Sequence, residues 1–266
     1  MKITMTANYH THTARCGHAS GTEREYIETA LAAGMKTLGF SDHVPFRFPD
    51  GHQSGYRMPC ERIEDYIESL VSLREEYKND IRIYIGYEME YYHEFFERML
   101  AFLEQYPLDY LILGQHFIEN ELTNKYSGSI GEDEGQLAQY VDQVLEGLGT
   151  GVFTYLAHPD LARYTGSPEI YEKHMRRLCE GAKALNIPLE LNYLGLQESR
   201  HYPCDRFFRI VHEVGNAVVL GCDAHYPSML NNPATVVKAE DFCVRNGLVP
   251  LADIPLRDPH FRKNLG

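Results

Sequence analysis

Thr37-Leu38-Gly39-Phe40-Ser41-Asp42-His43 sets a run of β-type residues directly before an aspartate and a histidine. A short run rich in Val, Ile, Leu, Tyr or Phe recurs along the chain, and six of its seven occurrences are closed by a residue able to hold a metal. It occurs at 3–9, 37–41, 81–87, 110–115, 153–157, 188–192 and 217–222, and each run reads as a strand. Between them, residues 24–33, 61–77, 93–105, 136–147, 168–185, 206–214 and 234–245 carry apolar side chains at helical spacing. Gly34, Asn79, Gly149, Asn186, Gly215 and Asn246 close these segments, as helix ends prefer. Seven alternating β and α units imply parallel strands with right-handed crossovers, and an α/β barrel is favoured over a doubly wound sheet. The stretch 45–59, with Gly51, Gly55 and three prolines, reads as a loop over one barrel mouth. No linker-like or low-complexity segment divides the chain, so residues 1–266 read as one domain.

Composition narrows the function. With 44% hydrophobic residues in 266, the chain can bury a sizeable core, which excludes global disorder. Its 25 Lys and Arg against 38 Asp and Glu give a net charge of −13, which repels a phosphate backbone and argues against nucleic acid as the main partner. No apolar run is long enough for a bilayer, and Met1-Lys2-Ile3-Thr4-Met5 does not begin a signal peptide, so a cytoplasmic protein without a membrane partner is expected. The six cysteines have no CxxC spacing and read as reduced thiols.

In parallel α/β folds the active site is built from the C-terminal ends of the strands. In chain order those ends carry His10-Thr11-His12, Asp42-His43, Glu88-Met89-Glu90, His116, His158-Pro159-Asp160, Asn192 and Asp223-Ala224-His225. One HxH pair among thirteen histidines carries little weight alone. Seven of the thirteen, His10, His12, His18, His43, His116, His158 and His225, fall at or just after the same end of a strand, where a barrel would converge them on metal ions. Residues i and i+2 of a strand share a face, so His10 with His12, and Asp223 with His225, can each aim at one centre. Seven imidazoles plus Glu88 and Asp223 exceed the needs of one tetrahedral site and suit three sites with a bridging carboxylate.

As an ordered set, His10-x-His12, His18, Ser41-Asp42-His43, Gly86-x-Glu88, His116, His158-Pro159 and Asp223-x-His225 resembles the polymerase-and-histidinol-phosphatase (PHP) superfamily of metal-dependent phosphoesterases. The resemblance spans essentially the whole chain and implies a distorted (β/α)7 barrel with a trinuclear centre. Carried over, it implies a first ion held by His10, His12, Glu88 and Asp223, a second by Glu88, His116 and His158, and a third by His18, His43 and His225. These ligands suit Zn, Mn, Fe and Co alike. The Cys16-Gly17-His18-Ala19 turn, the Asp42-His43 strand end running into Pro45-Phe46 and the length most resemble the histidinol-phosphate phosphatases.

Three divalent ions add +6 against two carboxylates and a bridging hydroxide, so such a pocket attracts the phosphate monoester that the surface repels. The ions would bring that bridging water towards a neutral pKa and make it the nucleophile at phosphorus. Arg163 and Arg200, in loops after the fifth and sixth strands, are candidates to grip phosphoryl oxygens, with Arg15 a third. Asp42 is a candidate general acid for the leaving alcohol, or else orients a ligand histidine. Glu90 and Asp160 either orient ligand histidines or bind a cationic group of the substrate. Tyr126, Tyr164 and Tyr202 are candidate pocket walls. The expected activity is hydrolysis of L-histidinol phosphate in histidine biosynthesis. Another small phosphate monoester, or a nucleic-acid end, is the alternative, and a non-catalytic metal-binding barrel a more distant one.

Overall fold

The computed structural model describes residues 4–49 and 51–260. Among them seven strands form one sheet in chain order, every neighbouring pair parallel. They are β1 (Ala7–Asn8), β2 (Thr37–His43), β3 (Arg82–Met89), β4 (Tyr110–Leu113), β5 (Phe153–Leu156), β6 (Leu189–Asn192) and β7 (Val218–Gly221). The helices are α1 (Glu23–Ala32), α2 (Ile63–Glu76), α3 (Phe96–Leu103), α4 (Glu134–Gly149), α5 (Pro168–Ala184), α6 (Tyr193–Glu198), α7 (Asp205–Val214) and α8 (Pro233–Asn246). Caps explain several starts: Thr22 and Glu25 form a capping box on α1, and Asp133, Ser167 and Asn232 accept first-turn N–H groups of α4, α5 and α8.

The sheet bends round until its first and last strands meet. Past β1 and β7, Thr11 and Ala224 form a parallel bridge, with His12 N–H donating to Ala224 O at 2.9 Å and Ala224 N–H to His10 O at 3.2 Å. This seam closes a seven-stranded α/β barrel, made irregular by a register shift between Leu111 and Leu113. One apolar layer lies between sheet and helices. A second, with Tyr9, Tyr110, Ile112, Tyr155, Val219 and Ile254, fills the barrel floor. Among the described residues no helix is long and apolar enough to cross a membrane.

The expected elements are present with shifted ends. The first strand shrinks from 3–9 to two residues, Ile3 lying outside the described residues. β2 and β3 run further than expected, so that Asp42, His43 and Glu88 lie within strands rather than after them. Gly149 and Asn246 are still helical; the left-handed residues that stop those helices are Gly151 and Gly247. α6 has no counterpart among the expected helices: it starts directly after β6, capped by Asn192, whose side chain accepts from Gly195 N–H. The stretch 45–59, of which residue 50 is not described, is a packed loop with Phe46, Phe48, Arg57 and Met58 buried.

Candidate metal centre and active site

Nine metal-type side chains meet at the C-terminal end of the barrel because each lies in the last two residues of a strand or follows one. Glu88 lies near the middle. Its Oε2 is 3.5 Å from His10 Nε2, 3.6 Å from His12 Nε2 and 3.1 Å from His43 Nδ1. Its Oε1 is 2.8 Å from His158 Nε2 and 3.5 Å from His116 Nε2. Asp223 Oδ1 is 3.4 Å from His10 Nε2 and 3.1 Å from His12 Nε2. His18 and His225 meet through their Nε2 atoms at 3.0 Å. The space for Glu88 comes from Gly114, where a Cβ would stand 1.9 Å from Glu88 Oε1.

The backbone is bent to serve these contacts. His158 and Asp223 adopt left-handed φ values of 27° and 49°, uncommon for residues with a Cβ. Strain of about 1–3 kcal/mol at each such position persists only where surrounding contacts hold it. For His158 one such contact is its N–H bond to Glu190 Oε2 at 2.9 Å.

Buried histidine nitrogens and a carboxylate oxygen without hydrogen-bond partners are the clearest chemical feature. His10 Nε2, His12 Nε2, His43 Nδ1 and Glu88 Oε2 are all of this kind, and leaving such atoms unmatched is costly unless a cation takes them. Four ligands placed tetrahedrally about 2.0–2.1 Å from a zinc-like ion lie about 3.3–3.4 Å from one another. The separations among His10 Nε2, His12 Nε2, Glu88 Oε2 and Asp223 Oδ1 given above, 3.1 to 3.6 Å, match that spacing. His12, His43 and His225, and likewise His43, Glu88 and His116, also bring donor atoms within 4.8 Å of one another. The donor set fits divalent cations.

Charge is arranged to suit. Burial would raise Glu88, but His116, His10 and His43 hold it well below the usual range. His10, His12 and His225 do the same for Asp223 against its burial. Burial, with His12 and His116 and against Glu88, pushes His43 down to about 4. Burial and His12 push His225 down to about 3. Both imidazoles are therefore neutral near pH 7 and able to ligate.

Above the cluster opens a cavity of about 370 Å³. The candidate ligands His18, His43, Glu88, His116, His158, Asp223 and His225 line it, with Tyr56, Phe117 and Tyr126 on one side and Glu198, Arg200 and Tyr202 on another. Arg200 donates to Glu198 at 2.9 Å and to the Tyr202 hydroxyl at 2.8 Å. Tyr126 and Tyr202 thus wall the cavity; Tyr164 is buried and does not line it.

The remaining sequence candidates lie elsewhere. Arg163 is exposed and outside the cavity lining. Arg15 turns to α1 and α2, pairing with Glu23 and with Asp65 at 2.9 Å. Asp42 is fully buried, with Oδ2 accepting from Thr13 N–H and hydroxyl and Oδ1 from His43 N–H, 3.5 Å from His12 Nδ1. Against burial, His12 and Thr13 keep it below the normal carboxyl range, so its geometry suits orienting His12 and not proton donation. Glu90 is likewise buried and faces His116 Nδ1 at 2.8 Å and Arg57 at 2.7 Å. Burial raises Asp160 to about 6, and its Oδ2 accepts from Cys204 N–H at 2.7 Å away from the cavity.

Two residues escaped the sequence reading. Glu190, in mid-strand, contacts His10 Nδ1 at 2.8 Å. Its signal was an acid two positions before Asn192 in an otherwise apolar buried run. Arg57 sits in a loop with no periodicity to mark it.

A parallel barrel whose strand ends gather histidines and carboxylates under an open cavity defines a metal-binding α/β barrel of the hydrolase type. The PHP domain profile matches residues 8–194, and the chain belongs to that family. A probable histidinol-phosphatase of Deinococcus radiodurans is 29% identical over 239 residues, covering 82% of this chain and 85% of that protein. The histidinol-phosphatase of Bacillus subtilis is 34% identical over 119 residues, 42% of this chain and 44% of the other. In three dimensions, the histidinol phosphate phosphatase of Lactococcus lactis, crystallised with Zn, L-histidinol and phosphate, has the same fold. Its TM-score is 0.71 at 20% identity, over 94% of this chain and 99% of that one.

Proposed function

We propose that this protein is a metal-dependent phosphatase that hydrolyses L-histidinol phosphate to L-histidinol and inorganic phosphate, a step of histidine biosynthesis, in the cytoplasm. The observation that carries the reading is the set of unpartnered buried donors around Glu88 at the floor of a cavity that also holds Arg200. The similarity to proteins named histidinol-phosphatase over more than four-fifths of the chain supports it. The ligands divide among three ions: His10, His12, Glu88 and Asp223; Glu88, His116 and His158; and His18, His43 and His225. Bound there, divalent cations supply positive charge for phosphoryl oxygens and acidify a water so that it is nucleophilic at neutral pH.

The chain's own residues do the rest. Arg200 presents a guanidinium to the non-bridging oxygens, where charge grows in the transition state. Tyr56, Phe117 and Tyr126 offer aromatic faces for a flat ring, and Glu198 a carboxylate for a cationic amine, which together suit an aromatic amino alcohol. The six cysteines are unpaired, in keeping with a reducing compartment.

The test is phosphate release from L-histidinol phosphate, sugar phosphates, nucleotides and p-nitrophenyl phosphate, with metal content measured on the same sample. L-Histidinol phosphate is expected to give the highest kcat/KM, by at least tenfold. A sugar phosphate or nucleotide in that place would overturn the substrate assignment.

A further inference from the structure

The loop between β2 and α2 carries Arg57, whose side chain is only 2% exposed. Its guanidinium reaches five acceptors: Glu90 Oε2 at 2.7 Å, Glu121 Oε2 at 3.0 Å, Val44 O at 3.1 Å and the hydroxyls of Tyr56 and Tyr92 at 2.6 and 3.2 Å. The Tyr56 hydroxyl accepts from Arg57 and donates to Glu90 Oε1 at 3.0 Å. That same oxygen faces His116 Nδ1 at 2.8 Å. A carboxylate only accepts, so Nδ1 of His116 carries a hydrogen and Nε2, 3.5 Å from Glu88 Oε1, is the nitrogen left to meet a cation. Glu121 lies in the β4–α4 loop, its other oxygen 2.9 Å from His52 Nε2. The Tyr56 ring stacks on Phe117 at 5.9 Å and meets His43 edge-on at 5.0 Å.

We propose that Arg57 is a positioning residue for the metal centre: through Glu90 it fixes the tautomer and orientation of His116, and through Tyr56 and Glu121 it holds the aromatic side of the cavity against that ligand. One buried cation joins a ligand-orienting carboxylate to two loops that border the cavity. Arginine suits the task because its planar fork serves two carboxylates at once, whereas a lysine ammonium is a point charge that keeps the sign without the geometry. The inference rests on the assignment of His116 as a ligand made above, and not on the identity of the substrate.

The experiment is a metal-affinity cycle. Metal-free parent, Arg57→Lys, His116→Ala and the double variant are titrated with Zn²⁺ in competition with a chromogenic chelator. Arg57→Lys is expected to weaken one bound ion by about 10–100-fold and to add nothing further in the His116→Ala background. Parent-like Zn²⁺ affinity in Arg57→Lys, or a loss that adds in full to that of His116→Ala, would overturn the proposal. If Arg57→Lys does not fold, Tyr56→Phe removes only the hydroxyl that bridges Arg57 and Glu90; a severalfold weakening of the same ion is expected, and unchanged affinity would overturn the proposal equally. Because the readout is Zn²⁺ alone, a protein inactive on L-histidinol phosphate that still gives the expected cycle defeats the substrate reading and leaves this one standing.

Discussion

Glu190 Oε1 accepts the Nδ1 hydrogen of His10 at 2.8 Å across 180 residues of chain. Its other oxygen takes the His158 backbone N–H and the Asn192 amide, each at 2.9 Å. One carboxylate thereby aims a side chain that follows β1 and anchors a proposed ligand that follows β5. Gly221 leaves room for it, since a Cβ there would lie 1.7 Å from Glu190 Oε1. Glu190→Gln keeps the shape but cannot accept from all three donors. The expected result is a folded protein binding metal about 10–100-fold more weakly, measured by chelator competition; parent-like affinity would remove Glu190 from the centre's support.

Arg200 and Arg163 are separable by kinetics. Arg200 lines the cavity and Arg163 does not. Arg200→Ala is expected to lower kcat/KM on the order of a hundredfold with metal content intact, as loss of a transition-state contact does. Arg163→Ala should stay within a few-fold of the parent. The reverse order would put the phosphoryl contact on the wrong arginine.

Asp42→Asn addresses the leaving group. Both Asp42 oxygens already accept hydrogen bonds, and its side chain lies outside the cavity. Histidinol phosphate and p-nitrophenyl phosphate should therefore slow by similar factors, through a misaligned His12. Selective slowing of histidinol phosphate, whose alkoxide needs a proton, would restore Asp42 as the acid.

Metal loading should expel protons. Burial disfavours charge on His12, yet Asp223 and Asp42 outweigh it and lift the imidazole to about 9 in the metal-free protein. Glu190, Asp223 and Glu88 raise His10 in the same way against its burial. Near pH 7 a cation must displace roughly two protons, so metal affinity rises from pH 7 towards 9. The stability of the metal-free fold runs the other way. A pKa raised in the folded state contributes fully below the unfolded value of 6.5 and is lost as pH climbs through about 9. Calorimetric titration in buffers of different ionisation enthalpy, with Tm of the metal-free protein across that range, checks both signs. Loading without proton release would show that these histidines are already neutral.

The parts legible in the sequence share a cause. Strand runs such as Thr37–His43 and residues 85–89 are buried on both faces and hence rich in apolar side chains, and the candidate ligands stand at or near their ends. What stayed hidden depends on contacts between distant segments. Glu190 sits inside a four-residue strand and acts on residues 32 and 180 positions away. Arg57 works from an irregular loop, and α6 is six residues long, too short to display a period. Asp42 and His43 were visible as a pair, but their separate duties follow from opposite faces of β2.

The seam at Thr11 and Ala224 lies between His10 and His12 on one side and between Asp223 and His225 on the other. In the proposed division of ligands, joining the barrel and assembling the first metal site are consequently one event, and His10 and Asp223 stand more than two hundred residues apart. A chain still being synthesised has strands to pair and helices to pack, yet it cannot gather this donor set until β7 has arrived. A captured cation then acts as a clasp on a closure between the two ends of the sheet, so metal supply and completion of folding are tied to the same contact.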